Sequence, residues 1–207
     1  MIRLEAATVM LQWAVGGLAF LWFTTRRNEV GAGYGMLLRI TYGAFAVFAV
    51  VLGNRYGVSL IREISGVAVA IAAFVLIRNK RSKIDLIAPL LGIPGIIAAG
   101  VSAASDGSGG DVIVSLLRVV IGTLFLGAVS DTMLLGHWYL VQPGMTRKLL
   151  NELTNAVLVL WPLEILVMIL PTGMLSVLNG TIDDGWDGIL GWFWLGCAAM
   201  TGILAIF

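Results

Sequence analysis

Long apolar stretches that recur along the chain are the feature that most constrains what this sequence can fold into. A transmembrane helix needs about 20 mostly apolar residues to cross a hydrocarbon core of roughly 30 Å. Of the 207 residues, 59% are hydrophobic and only 12% are charged. A soluble domain carries roughly 25% charged residues, so this chain cannot cover a water-facing surface with polar side chains. We therefore expect an integral membrane protein.

Seven stretches meet the length requirement, and short segments rich in charged and turn-forming residues separate them. Open strands would leave unpaired backbone groups in lipid, and the alternating pattern of a β-barrel is absent from the sequence, so we predict helices. We expect residues 1–207 to form a single all-α domain, a polytopic integral membrane helix bundle. The predicted spans are 6–25, 33–52, 58–77, 84–104, 112–141, 147–170 and 186–207.

The basic residues are distributed unevenly between the two sides of the predicted bundle. Eight lie in the connections that follow the first, third and fifth spans, and three lie on the opposite side. Cytoplasmic loops carry the excess of Lys and Arg in membrane proteins. The sequence therefore predicts an N-terminus outside and a C-terminus in the cytoplasm, in a prokaryotic-type cell inner membrane.

Four ionisable side chains lie inside the predicted spans. A charge there costs roughly 2.5–3.5 kcal/mol on insertion scales, so each of them needs a structural or functional reason. A helix rises about 1.5 Å per residue, which places Arg118 and Glu164 at one depth near the outer side. Arg39 and Asp131 lie at a second level, near the inner side. Each level thus holds one acid and one base. We predict two structural ion pairs that determine how the helices pack: Arg118 with Glu164, and Arg39 with Asp131.

Glu164 also admits a functional interpretation, as a carboxylate that binds an ion or relays a proton. The neighbouring Pro162 has no backbone N–H, so it frees a helix carbonyl that can help to coordinate a cation. The structural role is the favoured interpretation, because a transporter normally collects several polar groups at one depth and these spans offer few.

His137, the only histidine, is the candidate for contact with a cofactor. It lies beside Trp138 and Tyr139 at the inner end of the fifth span, where a neutral imidazole can ligate a haem or a metal, or donate to a quinone. Ligating histidines usually have a second partner that orients the ring, and no acid lies at helical spacing from His137. We therefore expect no metal site and no cofactor encoded by this chain alone.

Composition and motifs also bear on function. A net charge of +1 provides no basic surface for nucleic acid, and no catalytic constellation is present, so we expect no enzyme. The connections are short, and small residues on the third and seventh spans favour close helix packing. We predict a non-catalytic membrane subunit that packs against lipid and larger partner subunits, in an electron-transfer or other bioenergetic complex. The alternative is a small ion- or proton-coupled transporter that uses Glu164 and Asp131.

Overall fold

The computed structural model describes residues 5–79, 82–104, 109–169, 174–181, 185 and 188–206. All regular structure in these ranges is helical, so the all-α prediction is confirmed. A short 3-10 turn at Ser82–Leu86 leads into the fourth helix. The helices are α1 (Ala6–Thr25), α2 (Ala32–Tyr56), α3 (Leu60–Val75), α4 (Ile87–Ala103), α5 (Gly109–Val141), α6 (Lys148–Ile169), α7 (Met174–Leu178) and α8 (Ile189–Ile206).

The lengths of these helices confirm the membrane character of the chain. They also divide the predicted spans into five that are long enough to cross a membrane and two that are shorter. Two predicted spans correspond to short helices, α3 with 16 residues and α8 with 18, whereas the 17 residues of α4 are extended by the turn at Ser82–Leu86. At about 1.5 Å per residue α3 and α8 are roughly 24 and 27 Å long, less than a hydrocarbon core of roughly 30 Å. Five described segments are long and apolar enough to cross a membrane: Ala6–Thr25, Ala32–Tyr56, Lys83–Ser102, Asp111–Val141 and Lys148–Ile169.

Helix α1 lies at the centre of the bundle and packs against α2, α4 and α5. Its sequence is apolar around most of its circumference, as expected for a helix that is surrounded by others. Leu11, Leu18 and Leu21 are among its fully buried side chains. The outward faces of α2 and α3 instead expose large apolar side chains such as Phe48 and Ile64. This arrangement leaves an apolar outer surface for lipid to cover.

Two adjacent glycines allow other helices to approach α1 closely. Gly16 contacts the backbone of α5 at Thr123 and Gly127, where a side-chain carbon on Gly16 would overlap the Thr123 carbonyl. The ring of Tyr42, from α2, lies directly against Gly17. Small residues permit such close approach of helix backbones. Side chains of α2 can therefore reach α5 across the surface of α1.

Helices α6 and α8 form one edge of the bundle. Only 17% of the residues in the most apolar stretch of α6 are buried within the chain. Helix α8 packs on α6 where Trp161 lies against Gly202 and donates its indole N–H to the Ala198 carbonyl at 2.8 Å. The small residues of α8 thus accommodate an aromatic side chain of α6.

Candidate functional site

A cavity of about 310 Å³ lies between α1, α5, α6 and α8. Polar groups from all four helices line it: Gln12 of α1, Arg118 of α5, Glu164 of α6 and Thr201 of α8. Trp161 and Phe125 are among the aromatic side chains that form its apolar wall. A mostly apolar cavity with a few converging polar groups is typical of a small-molecule or ion site in a protein. This cavity is the candidate functional site.

Helix geometry brings its polar groups to one level. Gln12 follows the start of α1 by six residues, and Glu164 precedes the end of α6 by five, so both lie roughly 8–9 Å from those helix ends. Gly122 lies one turn after Arg118 on α5. A side-chain carbon at Gly122 would lie 3.0 Å from the Gln12 amide nitrogen and 3.7 Å from Oε1 of Glu164. The missing side chain at Gly122 therefore lets both groups reach the surface of α5.

The Glu164 carboxylate is incompletely hydrogen-bonded. Its Oε2 atom is buried and has no hydrogen-bond partner. Pro162, inside the same helix, has no amide hydrogen for the carbonyl of Leu158, the acceptor four residues earlier. The unpartnered Oε2 atom of Glu164 is therefore an acceptor at which a proton or a small cation can bind.

Arg118 lines the same cavity as Glu164, but it does not form the direct ion pair expected from the sequence. Its Nε–H donates to the backbone carbonyl of Val167 at 2.6 Å. The ion pairs closer than 4 Å in the described ranges do not join Arg118 to Glu164. The two groups are neighbours in one cavity, and the Glu164 carboxylate is not held by the guanidinium.

Two separate arrangements take the place of the predicted Arg39–Asp131 pair. Arg39 donates from Nε and Nη2 to Oδ1 of Asp85, at 3.1 and 2.7 Å. Asp131 instead contacts the Tyr42 hydroxyl at 2.5 Å, and that hydroxyl lies 2.9 Å from Oγ of Ser130. Depth along the helices placed Arg39 and Asp131 at similar levels. It carried no information about the direction in which each side chain points.

Comparison of the chain with protein-family models, with curated proteins and with solved structures found no match. A fold by itself does not imply a function, which must be argued from the geometry and chemistry of a site. The cavity and the buried carboxyl groups are therefore the basis for assigning a function.

Asp85 is a buried acid that the sequence analysis did not single out. It is 3% exposed, and besides Arg39 it contacts Nδ2 of Asn79 at 3.0 Å and Oγ1 of Thr25 at 3.1 Å. These four side chains, which we call the Asp85 cluster, join the end of α1 to α2, to the segment after α3 and to the turn before α4. The signal was present, because residue 85 falls inside the predicted fourth span and an acid there needs a partner.

Arg62 is a second buried ionisable group that the sequence analysis left with the outer charges. It lies in the first turn of α3, with its side chain 2% exposed, and pairs with Glu63 at 2.8 Å and with Glu5. Its Nη2 also donates to the carbonyl of Gly57. The adjacent acid at position 63 was the available signal, since a neighbouring carboxylate allows an arginine to be buried.

His137 lies on an exposed part of α5 near the C-terminal end of the helix. Its Nδ1 is 2.8 Å from the carbonyl of Met133, one turn earlier. In the described part of the chain, no three or more His, Cys, Asp or Glu side chains are grouped so that they could hold a metal ion. The absence of a metal at His137 stays a prediction.

Proposed function

We propose that this chain is a small proton-coupled membrane transporter in which Glu164 takes up and releases the coupling proton. One observation carries the proposal. The Glu164 carboxylate lines a cavity between four helices with one oxygen lacking a hydrogen-bond partner, while Arg118 donates its Nε–H to the Val167 carbonyl. Ionisable groups at membrane depth commonly mark ion or proton pathways. A carboxylate that no arginine holds directly can gain and lose a proton.

The other groups of the cavity support this role for Glu164. Arg118 places a positive charge in the same cavity, which compensates the negative charge left when the proton leaves. The Gln12 amide is held in place because it donates to the Val119 carbonyl at 2.8 Å. Trp161 and Phe125 form an apolar wall of the cavity that holds the carboxyl group.

Proton movement into liposomes tests the proposal. Purified protein is reconstituted with a pH-sensitive dye inside the vesicles, and a potassium diffusion potential drives protons inward. We expect E164Q to lower the initial rate of acidification by about tenfold or more, because proton transfer by a positioned group is typically worth at least that much. The matched control is E152Q on the same helix, since Glu152 pairs with Arg27 at 2.7 Å outside the cavity. An unchanged rate in E164Q contradicts the proposal.

A second candidate function is a non-catalytic accessory subunit of an electron-transfer or other bioenergetic complex. The edge formed by α6 and α8 favours it, because Trp192 and Phe193 are 66% and 69% exposed there and offer a surface to a partner helix. Under this alternative, the isolated wild-type chain moves no protons, and other membrane proteins remain bound to it after mild-detergent purification. Native mass spectrometry of the purified material detects them. Neither candidate function involves a reaction catalysed by this chain.

We further propose that the chain crosses the membrane seven times, with α3 and α8 as the two shorter crossings. Contacts at both ends of α3 support this topology. In its first turn Arg62 pairs with Glu5, just before the start of α1. Just beyond its end, the Ile77 carbonyl accepts a hydrogen bond from Arg39 of the Asp85 cluster, which includes the end of α1. Helix α3 therefore extends from one end of α1 to the other.

The N-terminus outside and the C-terminus in the cytoplasm, in a prokaryotic-type cell inner membrane, complete the proposed topology. The connection after α1 and the connection between α5 and α6 meet at one end of the bundle. There Arg27 pairs with Glu152, and the side-chain oxygen of Gln142 accepts the Gly31 N–H at 2.9 Å. Basic residues are concentrated in these connections, which supports a cytoplasmic position for this end.

A further inference from the structure

Asp131 is the most deeply buried acid of the described residues, and its surroundings differ from those of the other buried acids. Asp85 and Glu63 each pair with an arginine, at 2.7 and 2.8 Å. In the described ranges no ion pair closer than 4 Å joins Asp131 to a cation. Its Oδ2 atom is buried without a hydrogen-bond partner. The burial of Asp131 therefore needs an explanation other than an ion pair.

The carboxyl group of Asp131 lies far from either end of the bundle. Asp131 precedes the end of α5 by ten residues, and Tyr42 follows the start of α2 by ten, so both lie about 15 Å from those ends. Tyr42 reaches Asp131 because its ring packs on Gly17. Asp131, Tyr34 and Tyr42 are each 0% exposed. Burial of an ionised carboxylate is very costly unless it is paired and hydrogen-bonded.

We propose that Asp131 is a proton-binding site and that its carboxyl group is a neutral acid in the folded protein. The oxygen atoms around it then form one directional chain of hydrogen bonds. The acid donates to the Tyr42 oxygen across 2.5 Å, and Tyr42 donates to Oγ of Ser130 across 2.9 Å. Ser130 donates to the Leu126 carbonyl at 2.7 Å. In this series of hydrogen bonds every hydroxyl has an acceptor, and Oδ2 of Asp131 is an uncharged carbonyl oxygen.

The ionised form would leave this network incomplete. Tyr42 would then donate to Oδ1, and Oδ2 would carry negative charge without a donor. The titratable side chains that contact Asp131 are Tyr42 and Tyr34, both from α2. The Tyr34 hydroxyl lies 3.4 Å from the backbone carbonyl of Asp131 and is also close enough to interact with the carboxyl group, although neither tyrosine hydrogen-bonds to Oδ2. Arg39, the cation expected from the sequence, is held by Asp85.

A proton fits this site better than Mg²⁺ or Ca²⁺ does. Hard cations such as Mg²⁺ and Ca²⁺ take about six or more oxygen ligands, whereas the side chains here supply two carboxyl oxygens and the hydroxyls of Tyr42 and Ser130. Release of the proton requires water or a cation to reach Asp131, so the packing of Tyr42 on Gly17 must loosen first. Proton binding at Asp131 therefore stabilises the closed packing of α1, α2 and α5. This inference does not depend on the role of Glu164.

Infrared spectroscopy tests the protonation state of Asp131. We expect wild-type protein at neutral pH to show the carbonyl band of a protonated carboxylic acid, and we expect isotope-labelled aspartate to shift that band. The band should persist in E164Q, which removes the Glu164 carboxyl group, and disappear in the E164Q/D131N double variant. A spectrum of wild-type protein in which labelled aspartate shifts only carboxylate bands overturns the proposal, and that measurement requires no variant to fold.

Thermal unfolding in detergent provides an independent measure. Asn resembles a neutral Asp in shape and charge, so D131N should shift the unfolding temperature by less than about 4 °C, the effect of a small change in stability for a chain of this size. D85N is the matched comparison and should cause a several-fold larger loss, because it leaves the buried guanidinium of Arg39 without its charged partner. Equal losses in the two variants contradict a neutral acid at Asp131.

Discussion

Among single residues, Arg39 and Asp85 form a buried ion pair that joins two parts of the bundle. Each residue is 3% exposed, and their contacts connect α2 to the turn before α4. Removal of one partner of a buried pair typically costs about 3–5 kcal/mol, because the remaining charge is left unpaired. A surface pair such as Arg27 with Glu152 is screened by solvent and is worth far less. We therefore expect the same kind of substitution to destabilise the protein much more at the buried pair than at the surface pair.

We predict that R39M and D85N each lower the free energy of unfolding by about 3–5 kcal/mol. The R39M/D85N double variant should lose less than the sum of the two single losses, because it leaves no unpaired charge. Denaturation of the four proteins in detergent measures the coupling. The same cycle with R27M and E152Q should show much smaller losses, because solvent screens this surface pair. Strictly additive losses at Arg39 and Asp85 would mean that the pair does not form.

The sequence identified ionisable residues that lie inside the predicted spans. It predicted only some of the residues that each of them contacts. The rise per residue gives the depth of each group, and Arg118 and Glu164 do line one cavity. Depth does not give the direction of a side chain around its helix. Arg39 points towards Asp85 at the start of α4, so the acid at Asp131 was the wrong partner to assign.

Among the helices, boundaries were easier to predict than contacts. The charged and turn-forming residues that interrupt the apolar stretches also end the helices, so the predicted span 6–25 coincides with α1 and the span 112–141 lies within α5. The pair of helices that approach each other most closely was harder to predict, because small residues occur on several helices. The sequence analysis emphasised the third and seventh spans, whereas α1 and α5 meet at Gly16 and Gly127.

Substitution of Gly127 tests this close contact. A side-chain carbon there would overlap the backbone of Gly16, so we predict that G127A lowers the free energy of unfolding by about 1–3 kcal/mol, as overpacking does. The control is G136A on the same helix, where an added carbon meets nothing within 4 Å. Ala forms helices better than Gly, so G136A should be neutral or stabilise by up to about 1 kcal/mol. Thermal unfolding of the two variants side by side measures the difference, and equal effects would argue against a close α1–α5 contact.

The whole molecule combines a tightly packed part with a looser edge. Its class was predictable, because the apolar content and the spacing of the charges leave few alternatives to a membrane helix bundle. The cavity was not predictable, because it forms only when α8 packs on α6 through Trp161 and Gly202. No local pattern reports such a contact between distant helices. The number and direction of the membrane crossings can be measured. They determine on which side of the membrane the basic connections between helices lie.

Accessibility of single cysteines tests the proposed topology at three positions. Tyr56, which is 79% exposed at the end of α2, and Thr181 should lie outside, whereas Ser82 should lie in the cytoplasm. The C197S background removes the only native cysteine. A membrane-impermeant maleimide added to intact bacterial cells should label Y56C and T181C, and it should label S82C only after the cells are opened. Because α3 connects Tyr56 to Ser82, labelling of both from outside would mean that α3 does not cross the membrane. A full reversal of the pattern would keep the crossings but place the basic connections outside, against the charge asymmetry on which the orientation rests.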